Sequence, residues 1–268
     1  MTALVFSGSG ALSPAHAGAA QALIEDGFNP EALVGTSGGS QVAAFMAAGH
    51  RPSEALELYM KTLPTKIIRP NFGFLFDKYG GAFNINKLRT AIAPYVPRVF
   101  AACKIPLHII TTDKKKKEQF VFSPWETPVA EVPLAIQASC AVPLLFTPVR
   151  YQDKVLMDGG VVNNMAVDLL KMPAIGIRVL SKAGVSKRPP RVWLRRIDDV
   201  FDTIECMMAE IERKHIEDAV FAKVITVQTS WSAMDFWAMT PTVVKDLYQA
   251  GFDAARKKMD SGWTWRSS

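Results

Sequence analysis

An apolar run, Leu33-Val34, ends in Gly35-Thr36-Ser37-Gly38-Gly39, and a small-residue helical pattern running to about Ala48 begins at once. Strand, tight turn and helix in immediate succession restrict the chain more than any other stretch, because they commit it to a sheet with helices packed on it. Ser37 stands at the corner, where the backbone is cramped. Gly35 and Gly39 remove side chains that would otherwise collide across the turn. The hydroxyl is thereby raised above the sheet edge, and the helix N-terminus favours negative charge developing beside it. A glycine-rich turn can also do no more than reverse the chain, and G-x-S-x-G on its own is a common pattern. The remaining sequence has to decide whether Ser37 is a nucleophile.

With 268 residues, 49% of them hydrophobic, the chain can bury one substantial core without metals or disulfides. It reads as a single domain over 1–268. Cys103, Cys140 and Cys206 are an odd number, scattered without metal-ligand spacing. That argues for a reducing compartment and against a disulfide framework or zinc site, and no cofactor or metal is expected. No basic leader precedes the first apolar run, and no apolar stretch approaches the roughly 18 residues a spanning helix requires. The expected location is cytoplasmic, with peripheral contact at membranes compatible. A net charge of +6 suits ordinary surface charge or attraction to anionic surfaces such as lipid headgroups. Nucleic acid is not an expected partner, because the basic residues are not interleaved with aromatics on one face. The oligomeric state is left open.

Along the chain, strands are expected at Ala3 to Phe6, Ala32 to Val34, Leu107 to Thr112, Phe120 to Phe122, Val155 to Met157, Ala174 to Val179 and Val224 to Val227. Helices are expected at Ala15 to Asp26, from Gly38 to about Ala48, and at Pro52 to Lys61, Asn86 to Ala93 and Pro133 to Ala138. Two more are expected at Ile197 to about Lys214 and Val243 to Lys258. The small face of the first of these, Ala15, Gly18, Ala19 and Ala22, is expected to lie close against the sheet. Two stretches have two readings each: the first is core packing under a loop or a mobile apolar lid over an acyl pocket, the second an exposed loop or a membrane or partner contact. One is Arg69 to Phe83, with Phe72, Phe74, Phe76 and Tyr79 among glycines. The other is Ser181 to Arg196, basic around Trp193. The alternation predicts an α/β fold, a three-layer α/β/α sandwich with a mostly parallel central sheet.

A serine nucleophile needs a base and a place for the oxyanion. Gly8-Ser9-Gly10 follows the first strand and precedes a helix, so its backbone N–H groups can converge on one point. The same loop fits a dinucleotide fingerprint poorly, since Ser13 stands at the third glycine position. None of His16, His50, His108 or His215 is placed like a catalytic imidazole; the run Glu212-Arg213-Lys214-His215-Ile216-Glu217 reads as a solvated helix face. Asp158, at a strand end before Gly159-Gly160, can approach another loop closely. A Ser-Asp dyad is therefore favoured.

Four segments resemble the patatin-like phospholipases. Phe6-Ser7-Gly8-Ser9-Gly10-Ala11 with Ala15-His16-Ala17-Gly18 is similar to the family's oxyanion loop and following helix. Gly35 to Gly39 resembles its nucleophile elbow. Ala138-Ser139-Cys140-Ala141-Val142-Pro143-Leu144-Leu145-Phe146-Thr147-Pro148-Val149 resembles its AS-x-A-x-P segment, and Asp158-Gly159-Gly160-Val161-Val162-Asn163-Asn164 its DGG motif. Their order and spacing agree. Three positions depart from the pattern: Ser9 for a glycine, Leu12 where a basic residue is common, and Ala166 where a proline often follows.

The resemblance implies Ser37 as nucleophile, Asp158 as its base, and Gly8, Ser9 and Gly10 as the oxyanion hole. The implied activity is that of a phospholipase A or carboxylesterase, cleaving acyl esters of phospholipids or similar substrates through an acyl-enzyme. Acyl transfer with the same dyad is the alternative. A third reading is a catalytically weak lipid-binding relative.

Overall fold

The computed structural model describes residues 2–72, 80–181 and 195–265. Its sheet is built from β1 (Ala3–Phe6), β2 (Ala32–Thr36), β3 (Leu107–Asp113), β4 (Glu118–Phe122), β5 (Val149–Tyr151), β6 (Lys154–Asp158), β7 (Ala174–Ser181) and β8 (Ala222–Thr229). Strands β8, β7, β1, β2 and β3 are neighbours in that order and all parallel. Strands β4 and β6 run antiparallel to β3, and β5 forms a hairpin with β6. No strand is expected from the sequence at β5. The expected mostly parallel sheet is present.

The register on β3 decides where the chemistry can be. Thr36, the last residue of β2, pairs with Ile110, and Asp158, the last of β6, pairs with Thr111. β4 occupies the opposite edge of β3 through residues 109–113. The strands β2 and β6 therefore approach along one edge from opposite directions and finish at adjacent positions. Whatever follows Thr36 must meet Asp158.

Alternation sorts the central strands between two cores. Leu4, Phe6 and Leu33 face the larger, together with α1 (Ser13–Glu25), α2 (Gly38–Ala47), α3 (Ala55–Lys61), α4 (Asn86–Ile92), α5 (Val132–Ser139) and the final helix. Ala3, Val5, Ala32 and Val34 face the smaller, closed by Met165 to Val167 and by Ile216 of α6 (Arg195–Asp218). Both faces of the parallel strands are covered, which is why they read as continuous apolar runs.

The small face of α1 has a different partner from the expected one. Gly18 lies against the main chain of α7 (Pro241–Asp260): a Cβ there would come 1.8 Å from the Tyr248 carbonyl oxygen. Reciprocally, a Cβ on Gly251 would come 1.9 Å from the Ala15 carbonyl oxygen. Small residues permit close approach to a helix as readily as to a sheet, so composition could not tell them apart. Replacing Gly251 by Val must push two backbones apart. A loss of about 1–3 kcal/mol is expected, measured as a lower midpoint of denaturant unfolding with an unchanged slope.

Candidate active site

Ser37 sits between β2 and α2 with φ 49° and ψ −125°. A non-glycine residue held there costs roughly 1–3 kcal/mol, so the surroundings must enforce it. The Ser37 N–H donates to Ser139 Oγ at 2.8 Å, and Ser139 Oγ in turn donates to the Ile110 carbonyl at 2.6 Å. The Ser37 carbonyl accepts from Ser40 Oγ at 2.6 Å and from the Ser40 N–H at 2.9 Å. Flanking glycines make the turn sterically feasible. A Cβ on Gly35 would lie 2.6 Å from Ser40 Cα, and one on Gly39 would lie 2.5 Å from the Ser7 carbonyl oxygen.

Asp158 ends β6 with its N–H bonded to the Ala141 carbonyl and its own carbonyl accepting from Thr112 Oγ1. Its Oδ1 accepts from the Gly160 N–H at 2.8 Å, and its Oδ2 accepts from Ser37 Oγ at 2.6 Å. Both side chains are nearly inaccessible, Ser37 at 5% and Asp158 at 2% exposure. Burial pushes the Asp158 carboxyl up to about 6; the hydrogen bonds from Ser37 and Gly160 pull the other way. Among the described residues no histidine hydrogen-bonds either side chain. His16 lies edge-on to Phe6, and burial lowers its pKa to about 3; His108 lies beside Trp125 and is lowered to about 4 by burial.

The Gly8–Gly10 loop passes directly in front of this turn. A Cβ on Gly38 would lie 2.7 Å from both Ser9 Oγ and the Gly10 carbonyl oxygen. One part of the expected donor set changes. The Gly8 N–H already donates to the Asn164 carbonyl at 2.9 Å, so it holds the loop in place and is not offered to a ligand. Gly10 and Gly38 each open a helical turn, where the first N–H groups have no acceptor within the helix. Those two N–H groups, with that of Ser9, make no loop or turn backbone hydrogen bond among the described residues. Leu12 is buried in the larger core, so its side chain packs where a cation would be stranded.

Sequence reasoning gave the final third of the chain no part in the site, yet that third completes it. The Ala11 N–H donates to the Ala233 carbonyl at 2.8 Å, and Gly10, at φ 53°, passes so close that a Cβ would lie 2.3 Å from the same oxygen. Glu212, read as part of a solvated face, is 3% exposed. It receives a hydrogen bond from Asn164 Nδ2 and pairs with Arg178. No local signal marks it, since the charged run Glu212 to Glu217 is otherwise exposed or half-buried. Asn164 was visible in the sequence as the end of the DGG segment.

Two cavities meet at Ser37. A narrow one of about 70 Å³ is apolar, walled by Leu63, Ile67, Leu88, Phe236 and Met239 among others. A wider one of about 630 Å³ includes Asp158, Asn164, Glu212, Met208 and Met234. The aromatics Phe74, Phe76 and Tyr79 of the lid reading, and Trp193 of the basic loop, lie outside the described residues. Among the described residues no helix is long and apolar enough to cross a membrane.

A family model described as patatin-like phospholipase matches residues 4–171. The chain is 27% identical over 244 residues to YqhO of Bacillus subtilis (strain 168), an uncharacterized protein, covering 79% of this chain and 82% of that one. It is 25% identical over 179 residues to the uncharacterized protein R571 of Acanthamoeba polyphaga mimivirus, covering 62% of this chain and 60% of that one. The crystal structure of VipD from Legionella pneumophila superposes with a TM-score of 0.54 over 97% of this chain and 67% of that chain, at 16% identity. That last likeness is one of fold.

The raised Asp158 pKa has a consequence for stability. The folded state holds this proton more tightly than the unfolded chain, so stability falls as pH rises from about 4 to about 6 and is then level. Asp158→Asn lacks this penalty. Its stability relative to the parent should therefore grow across that window by on the order of 1–3 kcal/mol, followed by denaturant unfolding from pH 4 to 8. A difference that stays constant with pH would refute the buried-carboxylate account.

Proposed function

The chain belongs to the patatin-like phospholipase family, and from that premise we propose that it is a serine lipid acyl hydrolase working through Ser37 and Asp158. The observation that carries the reading is the 2.6 Å hydrogen bond from Ser37 Oγ to Asp158 Oδ2 inside a strained, buried turn. A hydroxyl at its ordinary acidity is a weak nucleophile, and a desolvated carboxylate is a stronger base than one in water.

In this mechanism Ser37 Oγ attacks the ester carbonyl carbon while its proton passes to Asp158. The carbonyl oxygen becomes an oxyanion, met by the N–H groups of Ser9, Gly10 and Gly38 at the head of α2. Collapse expels the alcohol, which takes the proton from Asp158, and leaves the acyl group on Ser37. A water molecule then gives a proton to Asp158 and its hydroxyl to the acyl carbon; the bond to Ser37 Oγ breaks, Ser37 takes that proton back, and the fatty acid is released. No other side chain needs to carry a proton.

The two cavities divide an amphipathic substrate between them. The narrow one suits an acyl chain, and the wider one, which carries Asp158, Asn164 and Glu212, suits the remainder of a phospholipid or related ester. Exposed Lys114 to Lys117, at the turn between β3 and β4, favours approach to an anionic interface.

Asp158 must be ionised to accept the proton, so kcat/KM should rise as pH climbs through about 6 and level above it. A fluorescent alkyl phosphonate should label the parent protein and lose its target in Ser37→Ala. It should react far more slowly with Asp158→Asn, and ester hydrolysis should fall by about 10³-fold or more in both variants. Undiminished labelling or hydrolysis in folded Ser37→Ala would overturn the assignment.

A further inference from the structure

Asn164 touches three parts of the site at once. Its main-chain carbonyl accepts the Gly8 N–H at 2.9 Å. Its Nδ2 donates to Glu212 Oε2 at 2.7 Å. Its Oδ1 is buried between two glycines: a Cβ on Gly8 would come within 2.1 Å of it, and one on Gly160 within 2.7 Å. The side chain is thus a wedge between the loop facing Ser37 and the turn whose N–H binds Asp158.

The orientation of that amide is set from outside. Glu212, on α6, has its Oε1 2.6 Å from Arg178 Nε of β7. A carboxylate held against a guanidinium is acceptor-only, so it selects the NH2 end of Asn164 and turns the oxygen toward the glycines. The opposite orientation would set two acceptors against each other and aim a buried donor at carbon. A buried ion pair is weak evidence for stability, since desolvation offsets most of its attraction. Alignment gives this one a use.

We propose that Arg178, Glu212 and Asn164 form a positioning relay that holds the Gly8–Gly10 loop in register with the Asp158–Gly160 turn, with Glu212 as its essential member. The proposal rests on the Ser37–Asp158 reading above. It adds that the reaction depends on a carboxylate outside the Ser37–Asp158 pair, which acts through Asn164. Misalignment of the donors weakens binding of the tetrahedral state while leaving ground-state binding intact.

The test uses Arg178→Met combined with Glu212→Leu, an apolar pair of similar volume that strands no charge. Measured alongside the parent are thermal unfolding, kcat and KM on an ester substrate, and affinity for two inhibitors. One is an alkyl trifluoromethyl ketone, which adds Ser37 Oγ to its carbonyl carbon and leaves an oxyanion; the other is an unreactive ether analogue. The expected result is a native-like unfolding transition, a loss of kcat of about 10- to 100-fold, and a matching loss of ketone affinity. KM and ether affinity should change far less than kcat and ketone affinity. Arg178→Met combined with Glu212→Gln, whose Oε1 can still accept from Asn164 with no guanidinium opposite its NH2 end, should recover part of kcat. If the double variant does not fold, Asn164→Ala keeps the carbonyl that binds Gly8 and is read in the same way. Unchanged kcat, or equal losses of ketone and ether affinity, would overturn the relay. A parent protein that neither hydrolyses esters nor binds the ketone would instead overturn the function on which it rests.

Discussion

A hydroxyl and a carboxylate 121 residues apart in sequence lie within a hydrogen bond of each other because two strands finish against one edge of a third. Most of the structure follows from that arrangement. The parallel pairing of β2 with β3 brings Thr36 as far as Ile110, and the antiparallel pairing of β6 begins at the next residue. Since side-chain direction alternates along every strand, a one-residue slip of β6 would turn the carboxylate to the other side of the sheet, and a slip of β2 would turn the approach to Ser37. The register therefore has to be fixed by apolar alternation long before any chemistry is at stake, and the two cores supply it.

The same closeness opposes folding locally. Ser37 is strained, Asp158 is desolvated, and the loop from Gly8 to Gly10 crowds against Gly38. Each is tolerated because hydrogen bonds converge from elements that are rigid for other reasons. Ser139, at the end of α5, holds the Ser37 amide, Thr112 of β3 holds the Asp158 carbonyl, and Ala233, beyond β8, holds Ala11. Ser37 is one of five described non-glycine residues with positive φ, and it is the one that stands where a reactive group would be.

What could be read from the sequence was what depends on near neighbours. The turn at Ser37 was legible because Gly35 and Gly39 lie within two residues of it, and the carboxylate because its glycines follow directly. The continuous apolar runs of β1 and β2 likewise announce their burial. Partners brought in from a distance left no such mark. The charged run from Glu212 looks like any solvated helix face, and only the tertiary placement of Arg178 and Asn164 distinguishes its first residue. The small face of α1 announced close packing without naming the partner. The Gly8 N–H looked available because the carbonyl that occupies it, at Asn164, lies far along the chain.

The contact between Gly10, Ala11 and Ala233 reaches beyond geometry. Residues near the beginning of the chain receive part of their support from a segment made much later, after β8, and Phe236 and Met239 of that same region wall the narrow cavity. During synthesis the turn at Ser37 emerges early, while the backing of its neighbouring loop and the far side of the cavity are still missing. A chain assembled in this order has no finished pocket until the segment after β8 has been made and has closed over the first loop.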